Sequence, residues 1–122
     1  MTIWLIDDDD ITNMLHMILM EKEFPSDNTI VFNLAEKAIE TLSNGTNLPD
    51  YIFLDINMPF MDGWEFLETF SKLENPMLER IQIYILSSSI DPDDSDKAEV
   101  SNYIKGFISK PLKLEKLSFL KN

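Results

Sequence analysis

No cysteine occurs among the 122 residues, and histidine occurs once, as His16. The first absence removes thiolate metal sites, thiol nucleophiles and disulfide staples together. Glycine is scarce, at three, and proline numbers six. With 44% hydrophobic residues this is the composition of one packed domain, residues 1–122, and not of a disordered chain. Positive charge is short as well: ten basic residues face 22 acidic ones, for a formal net charge of −12. That sign is wrong for gripping nucleic acid or an anionic membrane, and it favours metal cations or basic surfaces. No apolar run approaches the ~20 residues that span a bilayer. The opening "MTIWLIDDDD" has no basic leader before its short apolar run, so it does not read as a signal peptide. A soluble, cytoplasmic protein without nucleic-acid or membrane partners is the expectation.

What is present is a repeating pattern. Five short apolar runs have strand length and composition: "IWLI" (3–6), "TIVF" (29–32), "YIFL" (51–54), "IQIYIL" (81–86) and "YIKGFI" (103–108). Helical spacing separates them. Ile11, Met14, Leu15, Ile18 and Leu19 form a stripe expected to face a core. Ala35, Ala38, Ile39 and Leu42 form a second, ending at Asn44-Gly45. A third helix should start from Asp62 with Glu65 as its capping partner and turn Leu67 and Phe70 inward. A fourth should start at Asp91-Pro92, with Asp94 in the capping-box place. A fifth, from Leu112, should present Leu114, Leu117 and Leu120 on one face. Strands that read as nearly continuous apolar runs are covered on both faces by crossover helices. The fold expected is α/β: a five-stranded parallel sheet, doubly wound as (βα)5, with no output domain after the fifth helix.

Ligands of open parallel sheets bind outside the carboxyl ends of the strands, so the residue following each strand is the informative one. The first strand is followed by Asp7 and Asp8, the third by Asp55, the fourth by Ser87 and the fifth by Ser109-Lys110-Pro111. Three carboxylates, a hydroxyl and an ammonium should therefore meet at one edge. Carboxylates that crowded are tolerable when a divalent cation sits among them. An oxygen-only donor set points to a hard ion, Mg²⁺ or Mn²⁺, which is usually held together with phosphate oxygens. Lys110 then has a purpose as a point charge for a phosphoryl group.

The set "LIDDDDITN", "FLDINMPFMDG", "ILSSS" and "GFISKPL", in order and each at a strand end, resembles the receiver domain of two-component response regulators, the CheY-like fold, from Thr2 to Asn122. The resemblance implies that Asp55 accepts a phosphoryl group from a sensor histidine kinase or a histidine phosphotransfer protein. It implies that Asp8, Asp55 and the carbonyl of Asn57 ligate Mg²⁺, with Asp7 acting through water. It makes Ser87 and Phe107 the switch pair, Lys110 the phosphoryl-binding lysine, and Asn57 and Ser89 the positions that tune phosphoryl lifetime. The Lys110-Pro111 bond matches one commonly cis in the family. Output would be altered binding of a downstream protein, not identifiable from sequence, by the surface of the fourth helix, fifth strand and fifth helix. A phosphorylation-dependent homodimer through that face, using residues such as Leu112 and Phe119, is compatible. The chain departs from the family pattern at Ser88, where Ala or Gly is favoured, and at Phe107, where Tyr is commoner. Its segment 71–80, "SKLENPMLER", is also longer than a minimal connection.

Plainer roles suit other residues. Asp9 and Asp10 read as a helix N-cap. His16 reads as a packing or surface residue, and Asp91, Asp93, Asp94 and Asp96 as a solvated helix start. The methionines read as gap-fillers. Two competing functions remain: a small Mg²⁺-dependent phosphohydrolase with an aspartyl nucleophile, and a degenerate receiver serving as a phosphorylation-independent scaffold. The hydrolase class usually carries an acid two residues after its nucleophile, where this chain has Asn57. The domain is otherwise expected to be no enzyme beyond assisting its own phosphorylation and dephosphorylation.

Overall fold

The computed structural model describes residues 1–87 and 103–120. The fourth helix expected at Asp91-Pro92, the acids around it, and Ser88 and Ser89 lie outside those residues. Five parallel strands form one sheet: β1 (Thr2–Ile6), β2 (Asn28–Phe32), β3 (Tyr51–Asp55), β4 (Gln82–Ser87) and β5 (Ile104–Ser109), in the order β2-β1-β3-β4-β5. Strand order reverses between β1 and β3, the place where doubly wound sheets bind ligands. The central strands are apolar on both faces because both faces are covered. On one side Trp4, Ile6, Ile52, Leu54, Ile83 and Ile85 pack against α2 (Ala35–Asn44) and α3 (Gly63–Ser71). On the other, Ile3, Leu5, Phe53 and Leu86 pack against Met20 of α1 (Asp10–Glu23) and against Leu112, Leu117 and Leu120.

The helix ends follow their local chemistry. Asp9 caps α1, its carboxylate accepting the N–H groups of Ile11 and Thr12 and the Thr12 hydroxyl. α2 stops at Gly45, whose φ of 70° is the left-handed conformation that glycine adopts without strain. α3 opens with a full capping box between Asp62 and Glu65, and Phe66, Leu67 and Phe70 turn inward. The segment 71–80 holds a 3-10 turn, Pro76–Arg80, capped by Asn75 and anchored by buried Leu78.

Two elements differ from their sequence-based reading. Most of the stripe on α1 faces water: Ile11 is 66% exposed, and Met14, Leu15 and Ile18 are each about as open, whereas Leu19 alone of the five is half-buried against the core and Asn13, His16 and Met20 are buried. Residues i, i+3 and i+7 also lie on one face, so the helix has two stripes of correct period, and polar contacts decide which turns inward. The expected fifth helix is instead a pair of 3-10 turns, Leu114–Lys116 and Ser118–Leu120. Lys113 is extended (φ −133°, ψ 151°), which interrupts any helix from Leu112. The leucines at 114, 117 and 120 recur every three residues, the 3-10 period, whereas an α-helix would fan them out around its axis. Leu117 and Leu120 are buried, Leu114 is not, and Phe119 stacks on Tyr84 with ring centroids 4.7 Å apart. Leu112 and Phe119, candidates for self-association, are thus packed within the chain.

β5 carries a bulge. Ile104 pairs with Ile83 and Gly106 with Tyr84, so Lys105 is an extra residue in the ladder. Beyond it Phe107, Ile108 and Ser109 run in register with Ile85, Leu86 and Ser87. Among the described residues, no helix is long and apolar enough to cross a membrane.

Candidate functional site

The tips of β1, β3, β4 and β5 bring the expected residues to one edge. Asp7 follows β1, held by its N–H to Phe32 O at 3.1 Å and by its carbonyl, which accepts from Asn13 Nδ2 at 2.7 Å. Its carboxylate accepts the Asp9 N–H at 2.9 Å and pairs with Lys110 Nζ at 2.7 Å. The same ammonium lies 3.1 Å from Asp55 Oδ1. Asp7 and Asp55 are buried, Asp8 is exposed, and all three offer carboxylate oxygens within 4.8 Å of one another.

Lys110 reaches this position because its N–H donates to Ser87 O at 2.9 Å, extending the β4–β5 ladder by one bond. The Lys110-Pro111 peptide is cis, in line with the resemblance. Lys116 Nζ donates to the carbonyl and hydroxyl of Ser109, both at 2.9 Å, fastening the next turn to the same strand end. Ser87 is buried beside Lys110, and Phe107 is half-buried against the core side shared with α2 and α3. Asn57 is exposed at the start of the loop after β3, and its N–H donates to the Asp55 carboxylate.

The electrostatics follow from this crowding. Burial pushes the Asp55 carboxyl up to about 6, and the charge of Asp7 adds to the rise, against the opposing pull of Lys110 and the Asn57 N–H. Burial alone would lower the Lys110 ammonium, but contact with Asp7 and the charge of Asp55 outweigh it and hold it above its usual value. Three carboxylates stand around one ammonium, and the charge of Asp7 adds to the burial that raises Asp55 in spite of the opposing pull of Lys110. A hard dication suits such a donor set in both charge and ligand type.

Sequence reasoning assigned none of three residues to the cup that they shape. A Cβ added at Gly63 would lie 2.8 Å from the Asp55 carbonyl oxygen and 2.9 Å from Ile56 Cα, so the loop after β3 closes only over glycine. Asn13 and His16 are the others, both buried, where sequence alone reads His16 as a packing or surface residue; their spacing of three positions on one helix face is the only signal. Phe60 in the same loop has φ 68° and is 86% exposed, an uncommon setting for an aromatic residue. A separate hollow of about 430 Å³, lined in part by Phe70, Leu73, Leu78 and Tyr103, opens near the starts of β4 and β5, away from the acidic cup.

A β2-β1-β3-β4-β5 parallel sheet with acids at its switch point and a lysine after β5 defines a CheY-like receiver. Residues 3–119 match the family model described as response regulator receiver domain, and the chain belongs to that family. It is similar to the crystal structure of a two component response regulator from Cytophaga hutchinsonii, with 34% identity, TM-score 0.87, and 98% of this chain and 92% of that one covered. It is also similar to a response regulator receiver protein from Dyadobacter fermentans, with 30% identity, TM-score 0.84, and coverage of 98% and 93%. Among curated proteins it is 34% identical over 73 residues to the probable methanogenesis regulatory protein FilR2 of Methanothrix harundinacea. That match takes in 60% of this chain and 45% of FilR2, so the chain aligns with under half of that relative's length.

Proposed function

We propose that this receiver works in two-component signalling by accepting a phosphoryl group on Asp55 from a phosphohistidine of a sensor kinase or phosphotransfer protein. One observation carries the reading: Asp55 Oδ1 lies 3.1 Å from Lys110 Nζ, inside a group of carboxylates suited to a hard cation. Asp7, Asp8 and Asp55, with the backbone at Asn57, would hold Mg²⁺ or Mn²⁺. When bound, the cation supplies charge neutralisation for the phosphoryl oxygens. Asp55, ionised, attacks phosphorus. The new bond is Asp55 Oδ–P, the bond broken is the histidine N–P bond, and the imidazole nitrogen keeps the electron pair and then takes a proton. Lys110, freed from full engagement with the carboxylate, holds phosphoryl oxygens in the transition state and afterwards.

The product adds roughly one further negative charge and new acceptor oxygens within reach of Ser87. Movement of Ser87 toward them, with repacking of half-buried Phe107, is the switch that alters partner binding. Asn57 and Ser89 would set how long the phosphoryl group lasts. A phosphohydrolase role gains no support from Asn57, whose carboxamide is too weak an acid to protonate a leaving group.

The test is labelling by acetyl phosphate, followed on phosphate-affinity gels and by Trp64 fluorescence. Wild type should take up one phosphoryl group only with Mg²⁺ or Mn²⁺, and Asp55→Asn should take up none. Equal labelling of Asp55→Asn would remove the reading, and sustained turnover of p-nitrophenyl phosphate would replace it with the hydrolase.

A further inference from the structure

α1 is rotated against its hydrophobicity. Four aliphatic side chains stand in water while Asn13 and His16 occupy the buried face. Burying large aliphatic side chains is favourable, so something specific must favour the opposite choice. Both buried residues bond to backbone at the acidic cup. Asn13 Nδ2 donates to the Asp7 carbonyl at 2.7 Å, and His16 Nε2 accepts the Leu112 N–H at 3.3 Å. Asp7 carries one side of the cup, and Leu112 stands two residues past Lys110, which carries the other. Each side chain also leaves one buried atom, Asn13 Oδ1 and His16 Nδ1, without a hydrogen-bond partner among the described residues. A pair chosen for stability alone would not leave a donor and an acceptor stranded one turn apart.

We infer that Asn13 and His16 are positioning residues, a polar brace by which one rigid helix holds the Asp7 turn and the Lys110 turn at the spacing phosphoryl transfer requires. The inference rests on the reading of Asp55 and Lys110 given above and adds residues that touch neither phosphoryl group nor cation. Each half of the brace has its own consequence. Asn13 fixes the turn that presents Asp7 and Asp8, so it sets cation affinity. His16 fixes the turn behind Lys110, so it sets the rate of transfer with little effect on the cation. As an acceptor at Nε2, neutral His16 must carry its proton on Nδ1. Burial, which lowers its pKa, keeps it neutral, with Asp7 and Lys110 acting in opposite directions on it.

The experiment measures acetyl phosphate labelling and Mg²⁺ affinity by Trp64 fluorescence in wild type, His16→Leu, His16→Gln and Asn13→Leu, with thermal melts of each. His16→Leu should bind Mg²⁺ within about twofold of wild type yet label more slowly by on the order of tenfold, since small misplacements of a catalytic group carry such losses. His16→Gln, whose side-chain oxygen can accept the Leu112 N–H, should recover most of the rate. Asn13→Leu should weaken Mg²⁺ binding severalfold. Labelling of His16→Leu at the wild-type rate, or a glutamine variant as slow as the leucine one, overturns the brace while leaving Asp55 as the acceptor. Wild type that takes no label removes the reading of Asp55 instead. Nitrogen-15 spectra of the wild-type imidazole decide independently of any variant's folding: an unprotonated Nε2 with a proton on Nδ1 supports the brace, and a proton on Nε2 overturns it.

Discussion

Asp55 is held in a state that favours its protonated form, and this has a measurable sign. Its folded pKa of about 6 exceeds the ordinary 3.8. The protonated carboxyl therefore contributes stability below about pH 4, and that contribution is lost as pH rises through about 6. Above that range the buried charge is a standing cost, limited to about 2–3 kcal/mol at 1.36 kcal/mol per pKa unit and reduced by the open side of the cup. Metal-free Asp55→Asn should therefore melt higher than wild type, and by more at pH 7.5 than at pH 5, as read by calorimetry. An advantage that shrinks with rising pH would contradict the burial of Asp55. Gly63→Ala tests the neighbouring backbone. Its methyl group would overlap the Asp55 carbonyl, so the variant should lose about 2 kcal/mol or more in denaturant melts and label more slowly. Phe60 offers the reverse case, because a non-glycine residue at φ 68° is strained by about 1–2 kcal/mol. Phe60→Gly should stabilise the fold or leave it unchanged, despite the entropy glycine adds to the unfolded chain.

At the scale of elements, α1 shows both the reach and the limit of reading a sequence. Hydrophobic period identified the helix, and Asp9 identified its start, because both depend on neighbours along the chain. Its rotation depends on Asp7 O and Leu112 N, which come from elsewhere in the sequence, so no local pattern could reveal it. The strand-tip residues were legible for the opposite reason. A parallel sheet points every strand the same way, so each polar residue ending an apolar run falls on one edge whatever the details of packing. The turns after Leu112 were misread because a spacing of three satisfies one face of an α-helix only over a short stretch. The exposed stripe of α1 begins one turn from the cup, where the phosphohistidine donor of the proposed function would approach. Leu15→Gln with Ile18→Gln should leave acetyl phosphate labelling and melting temperature nearly unchanged, since both side chains are already in water. The same pair should slow transfer from a phosphorylated donor protein, and equal rates from both donors would exclude that face from docking.

For the molecule as a whole, charge sets the response to cations. A domain of net charge −12 repels itself, and its acidic cup concentrates that repulsion where a dication can relieve it. Mg²⁺ at a hundredfold excess over its dissociation constant should stabilise the fold by about 2.7 kcal/mol through mass action. The shift in melting temperature should be smaller at pH 5 than at pH 7.5, because protons compete for Asp55. Asp8→Asn, which removes an exposed acid of the cup, should abolish most of that shift.

The bulge in β5 implies where this strand accommodates a change in length. Ile104 and Gly106 already stand opposite consecutive residues of β4, so excising Lys105 would join two positions that are in phase and leave a regular ladder. Such a chain should still fold and label on Asp55. Excising Ile108 instead would shift Ser109 and Lys110 by one position along the ladder and turn the ammonium of Lys110 away from the cup.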